Sequence, residues 1–208
     1  MKVRKLTEVM QEYPDFKPGW LGEKNGGLSN PRFGSVERVV ICDDDGKPIF
    51  DQYEIAEKGG AIVVPWYCGE RQLFVGLISL IRPVIADPIT GSQGGVVSIE
   101  TPRGFGIGIE TEGETGIREL GEETQLVVRK LELIGITNPN TAFYKNTGIP
   151  IFAAEIDRKK FSERRPDATE RILKCEFYTK EKVAALSKEQ KIFCGLTKAA
   201  LGDFFLYY

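Results

Sequence analysis

The chain has 208 residues, 41% of them hydrophobic and 28% charged, which suits a globular domain with its own core and excludes a largely disordered polypeptide. A formal net charge of −2 offers no basic footprint for nucleic acid, and no apolar run approaches the roughly 20 residues needed to span a bilayer. Histidine is absent, which excludes Ser-His-Asp and Cys-His triads, HExxH metalloproteases and His-ligated zinc, so acid–base chemistry falls to carboxylates, lysines, tyrosines or metal-bound water.

The N-terminal stretch MKVRKLTEVMQEYPDF carries positive charge with no apolar core behind it and does not read as a signal peptide. Residues 14–34 are rich in Pro, Gly and Asn and read as irregular chain. Ser35 to Cys42 alternates as a strand, Asp43-Asp44-Asp45-Gly46 is a turn, and Ile49 to Ala56 is its hairpin partner. Gly60 to Tyr67 and Gln72 to Leu80 are two further strands. A loop follows from Arg82 to Gly95, then a short strand from Val96 to Glu100. Glu114 to Thr124 is the first convincing helix. Leu131 to Thr137 and Ile149 to Ile156 are strands on either side of the loop Asn138 to Gly148. Ile172 to Tyr178 is the last strand, and Lys180 to Leu186 and Glu189 to Phe204 are helical. Sequential strands outnumber helices, so the expected class is α+β with a mixed sheet rather than a doubly wound repeat. Cys42, Cys68, Cys175 and Cys194 show no CxxC spacing, which favours reduced, mostly buried thiols in a cytoplasmic protein over a disulfide frame.

The chemistry concentrates between Gly104 and Leu126, which read GFGIGIETEGETGIRELGEETQL. A helix turns about 100° per residue, so Glu119, Glu122 and Glu123 share one face. Like charges at this spacing repel, and a purely structural helix has little reason to stack them. Three carboxylates together make a hard-oxygen nest suited to Mg²⁺ or Mn²⁺. Arg118, one turn before Glu122, can pair with a carboxylate and fix its orientation. Ile117 and Leu120, on the opposite side, can bury the helix against a sheet. The plain alternative is a solvated acidic helix, against which Gly104 and Glu110 stand at fixed offsets upstream.

Those offsets resemble the Nudix box, G-x5-E-x7-R-E-U-x-E-E-x-G-U with U aliphatic. Gly104, Glu110, Arg118, Glu119, Leu120, Glu122, Glu123 and Leu126 fall in register, while Gln125 replaces the second glycine. That glycine commonly ends the helix in a left-handed conformation, which a residue with a side chain adopts at a cost on the order of 1 kcal/mol. Gly60 to Pro65, Leu80 to Pro83 and Ile99 to Gly104 extend the resemblance towards ADP-ribose and nucleotide-sugar pyrophosphatases.

The resemblance implies a mixed-sheet α/β/α sandwich over 34–208, preceded by an irregular segment, 1–33, that helps form a homodimer. It implies Mg²⁺ (or Mn²⁺) held by Glu119 and Glu123, with Glu122 completing the cluster and the Arg103 carbonyl assisting. A general base is expected in the late loop 164–170, with Glu170 first and Asp167 in reserve. Arg82, Glu100 and Gly104 are assigned to substrate, Arg82 gripping a phosphate as guanidinium geometry favours. Glu110 is expected as a structural partner. Trp66, Phe143 and Tyr144 can stack on a base, although Trp66 sits on a buried-looking strand. The implied reaction cleaves the pyrophosphate bond of a nucleoside diphosphate linked to a second group, ADP-ribose giving AMP and ribose 5-phosphate. Another nucleotide sugar, a dinucleoside polyphosphate, or a non-catalytic nucleotide-sensing role remain alternatives, the last opposed by the intact glutamate set. The partner is a small-molecule nucleotide, with neither nucleic acid nor membrane. Gly104-Phe105-Gly106-Ile107-Gly108 is not a dinucleotide loop, because Ile109 stands where the third glycine belongs and no helix opens at once.

Overall fold

The computed structural model describes residues 2–16, 27–30, 34–82, 95–145, 148–163 and 171–208. Its elements run β1 (Lys2–Lys5), α1 (Leu6–Glu12), β2 (Gly27–Asn30), β3 (Gly34–Cys42), β4 (Pro48–Glu57), β5 (Gly60–Cys68), β6 (Leu73–Arg82), β7 (Val96–Glu100), β8 (Arg103–Phe105), α2 (Glu112–Thr124), β9 (Leu126–Thr137), β10 (Ile149–Phe161), β11 (Ile172–Tyr178), α3 (Lys180–Lys188) and α4 (Gly195–Tyr207). They form two compact units, one of residues 1–58 with 138–147, the other of residues 59–137 with 148–208. Regular structure therefore begins inside the stretch 1–33 that reads as irregular.

In the smaller unit β3 pairs antiparallel with β1, β2 and β4. Leu6 and Val9 of α1 pack on Val40 and Cys42 of β3. Arg38 and Asp51 form a buried ion pair across β3 and β4, Nη2 to Oδ2 at 2.9 Å. The segment 138–147 docks along β4: Phe143 O accepts Ile55 N–H at 2.7 Å, and Lys145 N–H donates to Ile55 O at 2.9 Å. Tyr144 Oη donates to Glu57 Oε2 at 2.9 Å, and Lys145 Nζ pairs with Glu54 at 2.9 Å.

In the larger unit a mixed sheet runs β11-β6-β5-β10-β9, with β7 on β6 and β8 on β5. Only β5 and β10 run parallel among these pairs. Helices cover both faces, which explains why the centre of β5 is an unbroken apolar run. Ile62 and Val64 point to the face covered by α3 and α4, among Val183, Leu186, Leu201 and Phe204. Val63 points to the other face, against Leu120 of α2. This is the α+β sandwich that the sequence leads one to expect. Trp66 packs on Phe204 and Tyr208, ring centroids 6.2 and 4.7 Å away, and is core rather than a stacking platform.

Two helices depart from expectation. Helix α2 begins at Glu112 because Thr111 and Glu114 form a reciprocal capping box. Its inner side is Gly116 and Leu120, whereas Ile117 is 43% exposed and does not bury the helix. The last helix starts at Gly195 rather than Glu189. Residues 189–191 instead terminate α3, with Gln190 at φ 59° and Lys191 N–H bonded to Leu186 O at 2.9 Å. All four cysteines are free, and only Cys42 is fully buried.

Candidate functional site

The site is assembled where β8 hands the chain to α2. Gly104 lies opposite Ala61 of β5, and bonds from Val63 N–H to Pro102 O (2.9 Å) and Gly106 N–H to Gly59 O (2.7 Å) hold the strand on both sides. The helix approaches β5 closely because Gly116 carries no side chain, since a Cβ there would stand 2.9 Å from Val63 Cγ2. This seats the carboxylate of Glu119 directly over Gly104, where any Cβ would overlap it. Gly104 thus leaves room for the Glu119 carboxylate.

Glu119 and Glu123 are buried, 7% and 8% exposed, and Glu122 is half-buried. Repulsion among them is relieved by Arg118. Its Nη1 lies 2.9 Å from Glu119 Oε1 and 2.8 Å from Glu122 Oε2. Its Nε donates to both oxygens of Glu110, at 2.9 and 3.2 Å, and its Nη2 to Phe105 O at 2.7 Å. Burial opposes the Arg118 charge, but these acids outweigh it and hold its pKa above the ordinary arginine value. Glu110 is held below the ordinary glutamate range, chiefly by Arg118 and helped by the Ile107 N–H, in the structural role expected of it. Glu123 turns the other way and accepts the backbone N–H of Arg103 at 3.0 Å. An open hollow lined by Ile107, Ile109 and Ile117 shares Glu110 and Arg118 with this cluster.

Among the described residues no three or more His, Cys, Asp or Glu side chains are gathered as a metal-holding group. Arg118 and the Arg103 amide engage the three glutamates individually. The donor set still fits a hard divalent cation: carboxylate oxygens on consecutive turns, with the bare backbone of Gly104 beneath one of them. Glu119 and Glu123 would hold such an ion.

Arg82 and Glu100 meet. Glu100, 1% exposed, accepts Arg82 Nε at 3.0 Å on Oε1 and Arg82 Nη2 at 2.6 Å on Oε2. Arg103 Nη2 reaches the same Oε2 at 3.1 Å. Burial alone would raise the Glu100 pKa, but the Arg82 bonds and the charges of Arg103 and Arg82 win and hold it below the ordinary range. The part played by the Arg103 side chain goes unread in the sequence, although Glu100 and Arg103 form an i, i+3 charge pair. Gln125 adopts the left-handed conformation of the glycine it replaces, φ 62° and ψ 12°. Glu170 and Asp167 lie outside the described residues.

No protein-family model matches the chain, and no curated protein matches it. Solved structures do. An ADP compounds hydrolase superposes with a TM-score of 0.61 at 14% identity, covering 86% of this chain and 89% of that one. A NUDIX hydrolase from Nitrosomonas europaea superposes with a TM-score of 0.52 at 18% identity, covering 72% of this chain and 88% of that one. At such identities the likeness is one of architecture, and it defines the chain as Nudix-like in fold. Of the residues in register with the box, Gly104 stands on β8, Arg118, Glu119, Leu120, Glu122 and Glu123 on α2, Glu110 in the connection between them, and Leu126 at the start of β9.

Proposed function

We propose that this protein is a Nudix-type hydrolase that cleaves the diphosphate of a nucleoside diphosphate linked to a second group, with ADP-ribose the leading substrate. The observation carrying this reading is the Glu119 carboxylate lying over Gly104, one helical turn from the buried Glu123. The likeness in fold to an ADP compounds hydrolase supports the substrate class.

In this reading Glu119, Glu123 and Glu122 would hold Mg²⁺ or Mn²⁺. Such a cation would supply charge neutralisation on the diphosphate oxygens and a lowered pKa for a bound water. The chain's own groups do the remainder. Arg118 keeps Glu119 and Glu122 apart and oriented, and Glu110 fixes Arg118. Arg82, anchored on Glu100, positions a substrate phosphate. Glu170 takes the proton as general base. A homodimer formed through residues 1–33 and residence in the cytoplasm complete the proposal, and four free thiols suit a reducing compartment.

The test is a panel of nucleoside diphosphate conjugates incubated with Mg²⁺ and, separately, Mn²⁺, with products identified by mass. ADP-ribose should give AMP and ribose 5-phosphate. If no conjugate is cleaved with either cation, the proposal fails.

A further inference from the structure

Glu100 is paired more than once over. Arg82 alone satisfies both of its oxygens in a bidentate fork, yet Arg103 adds a bond to the oxygen Arg82 already occupies. Two guanidinium ends thus lie side by side on one buried carboxylate. Arg82 and Arg103 are 32% and 26% exposed at the side chain, while Glu100 is 2% exposed. Among the described residues no other acid pairs with either arginine, so several of their N–H groups remain for another acceptor. The backbone N–H of Arg103 meanwhile holds Glu123. The acidic cluster and the paired arginines therefore share this residue.

We propose that Arg103, with Arg82, forms a two-guanidinium clamp for the diphosphate of a ligand, and that the Arg103 side chain is a specificity-determining grip on that group. Planar forks mounted together on a buried carboxylate are pre-organised for adjacent phosphoryl oxygens. Most of their ordering is present before a ligand arrives, so less binding energy is lost to immobilising them. Assignment of the clamp to a substrate rests on the hydrolase reading, whereas its affinity for a free diphosphate does not.

The experiment titrates inorganic pyrophosphate calorimetrically into the full chain, once with EDTA and once with Mg²⁺, for wild type, Arg103→Gln and Arg103→Lys. Wild type should bind, and Arg103→Gln should bind about tenfold or more weakly, as expected for losing a charge-assisted contact. Arg103→Lys should fall between them, keeping the charge but not the fork. It also keeps a cation beside Glu100, so it remains informative if Arg103→Gln does not fold. The clamp is overturned if wild type binds in neither buffer, or if either variant matches wild type in both. Pyrophosphate binding through Arg103 without cleavage of any nucleotide conjugate would leave the clamp standing and remove the hydrolase reading. Cleavage with pyrophosphate binding indifferent to Arg103 would do the reverse.

Discussion

Gln125 ends α2 at φ 62° and ψ 12°, a left-handed backbone that an L side chain occupies at a cost of roughly 1–2 kcal/mol. Its peptide groups are nonetheless in use: the N–H donates to Gly121 O at 3.0 Å, and the carbonyl accepts Ser162 N–H at 2.8 Å. Gln125→Gly would preserve both bonds and remove the steric penalty. Against this, glycine makes the unfolded chain more flexible, an offset of about 0.4–1 kcal/mol. The net expectation is a gain of roughly 0.5–1 kcal/mol. For a protein of this size that is an increase in Tm of about 1–4 °C. Thermal melting followed by circular dichroism measures it, with Gln125→Ala as the control. Alanine keeps a Cβ in the same backbone conformation and should melt within about 1 °C of wild type. A glycine variant that melts at or below wild type would refute the reasoning. An alanine variant that gains as much as glycine would move the cause from backbone to side chain.

Gly104→Ala should leave folding nearly intact, because the overlapped group is the far end of the Glu119 side chain, while turnover should fall about 100-fold or more. Full activity in that variant would separate Glu119 from the reaction. Glu123→Gln should abolish cation-dependent hydrolysis with Tm little changed, and retained turnover would exclude Glu123 from the cation site. Arg38→Ala leaves the buried Asp51 without its guanidinium and should lower stability by about 3 kcal/mol, read from urea midpoints. A loss under about 1 kcal/mol would mean Asp51 is adequately held by other groups. Because the Glu100 pKa is depressed in the fold, its contribution is fully present above the ordinary glutamate pKa and is lost as pH falls through the lower folded value. Acid titration of stability should therefore slope downward in that window, and less steeply in Glu100→Gln. Equal slopes would discount the pair.

Short β-rich segments are legible from the sequence, and Val96–Glu100 and Ile172–Tyr178 form as read. Strand β9 begins five residues before its expected start. Arg129 and Lys130 are exposed at the edge of the sheet, where a strand needs no apolar alternation. The three-residue β8 is too short to carry a pattern, yet it places Gly104. The capping box Thr111-x-x-Glu114 was a readable signal for the start of α2. Gln190 gave no such signal for the end of α3, because its left-handed turn lies in a residue that rarely adopts one. In the candidate site, helical spacing alone put three acids on one face and Arg118 within reach of Glu122, but the hold of the Arg103 amide on Glu123 depends on β8, which only tertiary structure supplies.

The segment 138–147 joins two neighbouring strands of the larger sheet while docking on β4 of the smaller unit. Neither unit is consequently a contiguous stretch of polypeptide. A truncation beginning at Gly59 would keep this connection but strip away Glu54, Ile55 and Glu57, its hydrogen-bonding and ionic partners. Fragment expression or domain grafting would therefore have to carry residues from both sides of the boundary at Lys58.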